Sequence, residues 1–191
     1  MSYDVHFLHC DDGQDWLDAL EEQEHRARRA KFRTTDAVRR EWWRVATRVY
    51  REIPGGELRH RQQMLRYRNS DQGLQLELGA DGVSMSLPYV HDEATARAAL
   101  RTARRIADIV EEETQLRAFD PQLGGCFLQH GGSIARAANM MAATRRYLSA
   151  AAEGATPPLP SCVAARPGEL PASSATGELS VSSFGLRPLR D

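Results

Sequence analysis

The sequence predicts an α+β fold, an antiparallel sheet of about four strands with helices packed on one face. Three observations point there. Residues 74–78 and 83–87 alternate apolar and polar side chains around the tetrapeptide GADG, as the two arms of a half-buried hairpin do. Tyr3, Val5 and Phe7 alternate in the same way near the start of the chain. Elsewhere the apolar residues follow a helical period instead: Val38, Trp42, Val45, Ala46 and Val49, then Leu100, Ala103, Ile106, Ala107 and Val110. The hairpin places Leu74, Leu76, Leu78, Val83, Met85 and Leu87 on one side and Gln75, Glu77, Ser84 and Ser86 on the other. Such a polar row is expected to look outward, so the helices are expected to cover only the leucine side.

The elements follow in chain order. The first strand closes at DDGQD, where Asp12 or Gly13 is expected to cap a first helix, acidic at its start and basic at its end, matched to the helix dipole. Trp16, Leu17 and Leu20 form its apolar face. Thr34 or Thr35 is placed to cap a second helix, which IPGGE at 53–57 ends. MLRYR at 64–68 reads as a short strand before the hairpin, and Pro88 ends the hairpin. Asp92 is placed to cap a long third helix reaching about Leu116. LRAFDPQLGG then reads as a short strand and a proline turn, and Ser133 is placed to cap a fourth helix bearing Ile134, Ala137, Met141 and Leu148. From Glu153 onward the chain is rich in Pro, Ala, Ser and Gly without a period, the composition of a disordered tail. The expected organisation is thus a domain over 1–125, an appended helix over 126–152 and a tail over 153–191.

Composition narrows the function. The 191 residues carry a net charge of −1, so no overall field draws the chain to nucleic acid or to an anionic membrane. No stretch approaches the roughly 20 apolar residues of a membrane span, and the start MSYDVHFLHCDDG lacks the features of a signal peptide. Cys10, Cys126 and Cys162 are odd in number and far apart, which is no disulfide framework. A cytoplasmic protein is expected.

The segments MSYDVHFL, DGQDWLDALE, GLQLELGADGVSMSLPYV and VEEETQLRAFDPQLG together resemble a group of small, uncharacterised bacterial proteins common in actinobacteria. Those proteins open on MSYDLYF-like strands, carry a tglqlslf…vsvpyw-like hairpin and close on a YDPQ-like turn. The resemblance covers roughly residues 1–125; Phe119 stands where the group has tyrosine, and Val90 where an aromatic follows Tyr89. It implies kinship and brings no catalytic residues with it.

Several residue groups invite chemistry. HFLHCDD concentrates metal-ligand types, but on a strand His6 and Cys10 point away from His9, and no second Cys/His pair with zinc spacing follows. GGCFLQHGGS sets Cys126 four residues before His130, a thiol and a base, yet the flanking glycines favour a loop over a helix that would join them. The run RARRAKFR at 26–33, with Arg39, Arg40, Arg44 and Arg48, is the basis of a nucleic-acid reading, against the simpler one of a helix end matched to its dipole. Trp42 and Trp43 diverge by roughly 100° on a helix. Either one is exposed as an interface anchor, or both lie in a wide buried stripe, and the stripe is the expectation. No nucleophile, base and electrophilic stabiliser come together in this sequence. The expected function is therefore non-enzymatic binding of another protein, of which an immunity or antitoxin role is the most concrete form. The expected contacts are Gln75, Glu77, Ser84, Ser86, Trp43, Arg101 and Arg105, with no cofactor or metal. The alternatives are a nucleic-acid binder using the arginine-rich helix surface and a Cys/His metalloprotein or thiol enzyme.

Overall fold

A computed structural model describes residues 2–11, 13–29, 35–61, 64–79, 82–128 and 131–154. The expected tail from 155 onward and His130 lie outside them, as do Asp12 and Thr34. The elements run β1 (Ser2–Leu8), α1 (Trp16–Arg29), α2 (Asp36–Glu52), β2 (Gly56–Arg61), β3 (Met64–Asn69), β4 (Leu74–Gly79), β5 (Gly82–Pro88), α3 (Glu93–Thr114), β6 (Arg117–Asp120), β7 (Gly125–Cys126) and α4 (Gly131–Ala152). The fold is α+β with an antiparallel sheet, but that sheet has seven strands, not about four, in the order β2-β3-β4-β5-β1-β6-β7. The additional strands are those that lack an apolar alternation. β2, GELRHR, offers only Leu58 to the core and is a strand because β3 pairs with it along its whole length. β7 is two residues long.

The main core lies between one sheet face and the helices. Tyr3, Val5 and Phe7 of β1, Leu65 and Tyr67 of β3, Leu74, Leu76 and Leu78 of β4, and Val83, Met85 and Leu87 of β5 are all buried there. Each such side chain contributes about 1.5–3 kcal/mol by leaving water. The periodic faces of α2 and α3 complete this layer. α4 packs along α3, and its Ala137, Ala138, Met140 and Met141 belong to the same core as the sheet. α4 begins at Gly131, so Ser133 sits within the helix and does not cap it.

Thr35 caps α2, its hydroxyl accepting from the Val38 amide at 3.3 Å, and Asp92 caps α3, accepting from the Thr95 amide at 2.8 Å. Thr35→Ala is expected to lower stability by about 1 kcal/mol, read as a shift in the midpoint of chemical unfolding. An unchanged midpoint would show that water serves the freed amide equally well.

α1 departs from the one-sided arrangement. His6 and Leu8 point to the face opposite Phe7, and Phe119 pairs with His6 across β1 and β6, so all three share the second face. Leu8, Phe119 and Ala19 of α1 form a small buried cluster there, separate from the main core. The Trp16 ring stacks on Phe119 at 5.4 Å with planes 4° apart, and the Arg117 guanidinium lies 5.6 Å from the Trp16 centroid. Farther along α1, Gln23 reaches β5, where a Cβ on Gly82 would come within 2.4 Å of its side-chain nitrogen. Helices therefore lie on both faces. The polar row survives because α1 shelters the β1–β6 side of the second face and leaves β2 to β4 open.

Candidate functional site on the open sheet face

Strand registry assembles the open face. Residues with the same parity as Gln75 and Glu77 stand beside them: Arg66 is paired with Glu77, Arg68 with Gln75, Arg59 with Arg66 and Glu57 with Arg68. On the other side Ser86 is paired with Gln75, Ser84 with Glu77, and Asp4 with Ser86. The four polar hairpin residues predicted as contacts are thus brought together, and they continue into an arginine-bearing half formed by β2 and β3. Arg59, Arg61, Arg66 and Arg68, with Met64 and Gln75, line a depression of about 240 Å³.

The charges in this depression are only partly compensated. Arg66 pairs with Glu77 at 2.5 Å and Arg59 with Glu57 at 2.7 Å, while Gln75 donates to Glu77 at 2.7 Å. Both ion pairs are open to water, so each is worth about 0–1 kcal/mol and yields readily to a competing anion. Among the described residues, Arg61 and Arg68 make no ion pair, and the buried Nε of Arg66 has no hydrogen-bond partner. Arg59 and Arg66 stand directly opposite each other, an arrangement that like charges disfavour. An anion placed between them would relieve that repulsion.

The remaining predicted contacts lie elsewhere. Trp43 is 42% exposed and Trp42 is 7% exposed, so the wide buried stripe does not form. One turn of α2 cannot press both indoles into the same core, and Trp43 instead leans on the His60 ring of β2 at 5.7 Å. Arg105 pairs with Glu52 at 2.5 Å across the outer side of α2 and α3. Arg101 is exposed on α3 and, among the described residues, makes no ion pair. Neither arginine approaches the sheet face. On the same helical surface Arg48 binds Glu52, Glu112 and Glu113 at 2.9, 2.6 and 3.0 Å, and Arg44 lies 3.5 Å from Glu113. Hydrogen bonds from Arg48, then Arg105, hold the Glu52 carboxyl below its usual range despite some desolvation. This surface is a lattice of opposite charges holding α2 to α3, with few free guanidiniums for phosphates. Of the run RARRAKFR, Arg26 pairs with Glu22 at 2.6 Å, and the side chains from 27 to 33 lie outside the described ones.

Among the described residues, Cys10 lies near enough to Cys126 for its charge to bear on that thiol, but the two are not joined by histidines into a metal-holding group. Among the described residues no three His, Cys, Asp or Glu side chains form a group able to hold a metal ion. His9 is exposed, and His6 is half-buried, its pKa lowered chiefly by desolvation. Cys10 donates to the Gln14 carbonyl at 3.5 Å. Burial beside β6 raises the pKa of the Cys126 thiol, although nearby Arg117 opposes this, so its thiolate is disfavoured.

One buried polar pair is structural. Asp120 is fully buried and accepts from the Tyr3 hydroxyl and from the Gln122 and Leu123 amides at 2.9 and 3.2 Å. It ties the proline turn to β1. Burial raises its carboxyl pKa, outweighing the hydrogen bonds that lower it. Burial, together with the Asp120 charge, also raises the Tyr3 phenol.

Sequence reasoning missed Arg59, Arg61, Arg66 and Arg68. The available signal was the pair of alternating triplets RHR (59–61) and RYR (66–68), close enough in sequence to form a hairpin with both arginine rows on one face. None of the described helices is long and apolar enough to cross a membrane. Comparison of the chain with protein families, curated proteins and solved structures found no match.

Proposed function

We propose that this chain is a non-enzymatic binding module that holds an acidic partner protein against the open sheet face. The observation that carries this reading is the β2–β3 arginine cluster, in which opposed Arg59 and Arg66 are flanked by the unpaired Arg61 and Arg68. Guanidinium groups match carboxylates in a fixed fork geometry and are favoured at protein interfaces. Gln75, Ser84 and Ser86 supply neutral hydrogen-bonding groups beside them. A partner inhibited by such a module, as an immunity role requires, would present carboxylates at the contact. Single-stranded nucleic acid fits less well. Sheets that bind it offer aromatic rings for base stacking, and the described residues on the open half of this face include none.

The test is capture from a lysate of the producing organism by the native chain and two variants. The double variant Arg61→Glu, Arg68→Glu is expected to lose about tenfold or more of the captured partner, since it replaces attraction with repulsion. Arg101→Glu, on a different surface, is expected to retain it. Equal capture by all three, or a captured species that nuclease removes, would refute the proposal.

A further inference from the structure

We infer that the outer strand β2 is a docking edge that takes an acidic, extended segment of the partner as an eighth strand. This rests on the protein-binding reading above and specifies its form. β2 is the terminal strand of the sheet order, six residues long and largely exposed, and no described residue pairs with it on its outer side. The opposite border, β7, has two residues. An exposed edge strand presents a row of unpaired amides and carbonyls, the template for strand addition.

Both sides of this edge carry positive charge. On the open face lie Arg59 and Arg61 with the depression they line. On the helix side, Trp43 rests on His60 and continues into the exposed Arg40, which makes no ion pair among the described residues, and into Arg44, which is partly compensated by Glu113. Side chains of an added strand point alternately to the two faces. Acidic residues at one parity would meet Arg59 and Arg61, and residues at the other would meet the Trp43 indole and its neighbouring arginines. The same charges choose among occupants. Two copies joined through β2 would each bring Arg59 and Arg61 against a single Glu57 on that face, leaving the seam with net positive charge. The C-terminal segment of this chain holds Arg166, Arg187 and Arg190 against Glu169, Glu178 and Asp191, so it carries no acidic run. A foreign acidic segment satisfies what these two do not.

The probe is a fluorescent peptide of about ten residues alternating glutamate with valine or threonine. It is compared with a lysine-for-glutamate version and with a glutamate version N-methylated at alternate amides. Fluorescence anisotropy is expected to show binding of the acidic peptide. Methylation, which removes the strand's donors, is expected to weaken binding about tenfold or more, as are the lysine version and Arg59→Glu with Arg61→Glu. Amide exchange at β2 is expected to slow on binding. Equal binding of methylated and unmethylated peptides would overturn strand addition while leaving the sheet-face reading intact. Absence of peptide binding, with capture still sensitive to Arg61 and Arg68, would do the same. Loss of both results removes both proposals. Slow exchange at β2 without peptide would also overturn the inference. Dependence on protein concentration would assign the edge to a second copy, and reversal on truncation after Gly154 would assign it to the C-terminal segment.

Discussion

Asp120→Ala is expected to destabilise the protein by about 2–4 kcal/mol, because it strands the buried Tyr3 hydroxyl and two turn amides together. Urea unfolding measures this directly, and a loss below about 1 kcal/mol would mean that water reaches the site. Tyr3→Phe removes only one donor and leaves the turn amides paired, so its cost is smaller. Asp120→Asn keeps an acceptor for the turn and isolates the role of charge. The carboxyl of folded Asp120 is raised above its ordinary value of 3.8 by burial. The folded state therefore holds its proton more tightly than the unfolded chain. This group's contribution is fully present below pH 3.8 and is lost as pH rises through the elevated folded value. The stability of the native chain relative to Asp120→Asn should accordingly decline as pH is raised above 3.8. A flat difference would show that the three donors balance desolvation, and a rising one that they outweigh it.

Gly56→Ala is expected to cost about 1–3 kcal/mol through overpacking. A Cβ there would lie 2.2 Å from Cε2 and Cζ of Tyr67 and 2.3 Å from its hydroxyl. Tyr67 cannot swing aside freely, being fully buried with its hydroxyl donating to the Ile53 carbonyl at 3.0 Å. The glycine is needed for space and not for backbone freedom, since its φ is not positive. Gly125→Ala is the control, because nothing lies within 4 Å of its added methyl and its φ is also not positive. Equal midpoints for the two variants would contradict the packing of Tyr67 over the start of β2. The same clash should loosen β2, so Gly56→Ala is also expected to weaken partner capture.

The parts of this fold legible in the sequence are those where a pattern and its burial coincide. Leu74, Leu76 and Leu78 alternate because one side of β4 is core, and Leu100, Ala103, Ile106, Ala107 and Val110 recur because one side of α3 is core. α1 lies on the face where no helix is expected because its contact is made through a few residues at the end of β1. Leu8 continues no alternation, and its burial comes from Phe119, over a hundred positions away. β2 is illegible in the sequence for a related reason, since an edge strand held by pairing to β3 needs no apolar row. The polar hairpin residues were found from their parity. The arginines beside them were not, because their grouping depends on β2 being a strand.

The unequal borders of the sheet also limit stoichiometry. A ribbon with six residues at one margin and two at the other offers a single seat for a newcomer, and whatever occupies that seat presents its own far side outward. If β2 takes a guest strand as inferred, one guest per host is the expected ratio, because the two residues of β7 give a further copy little to pair with.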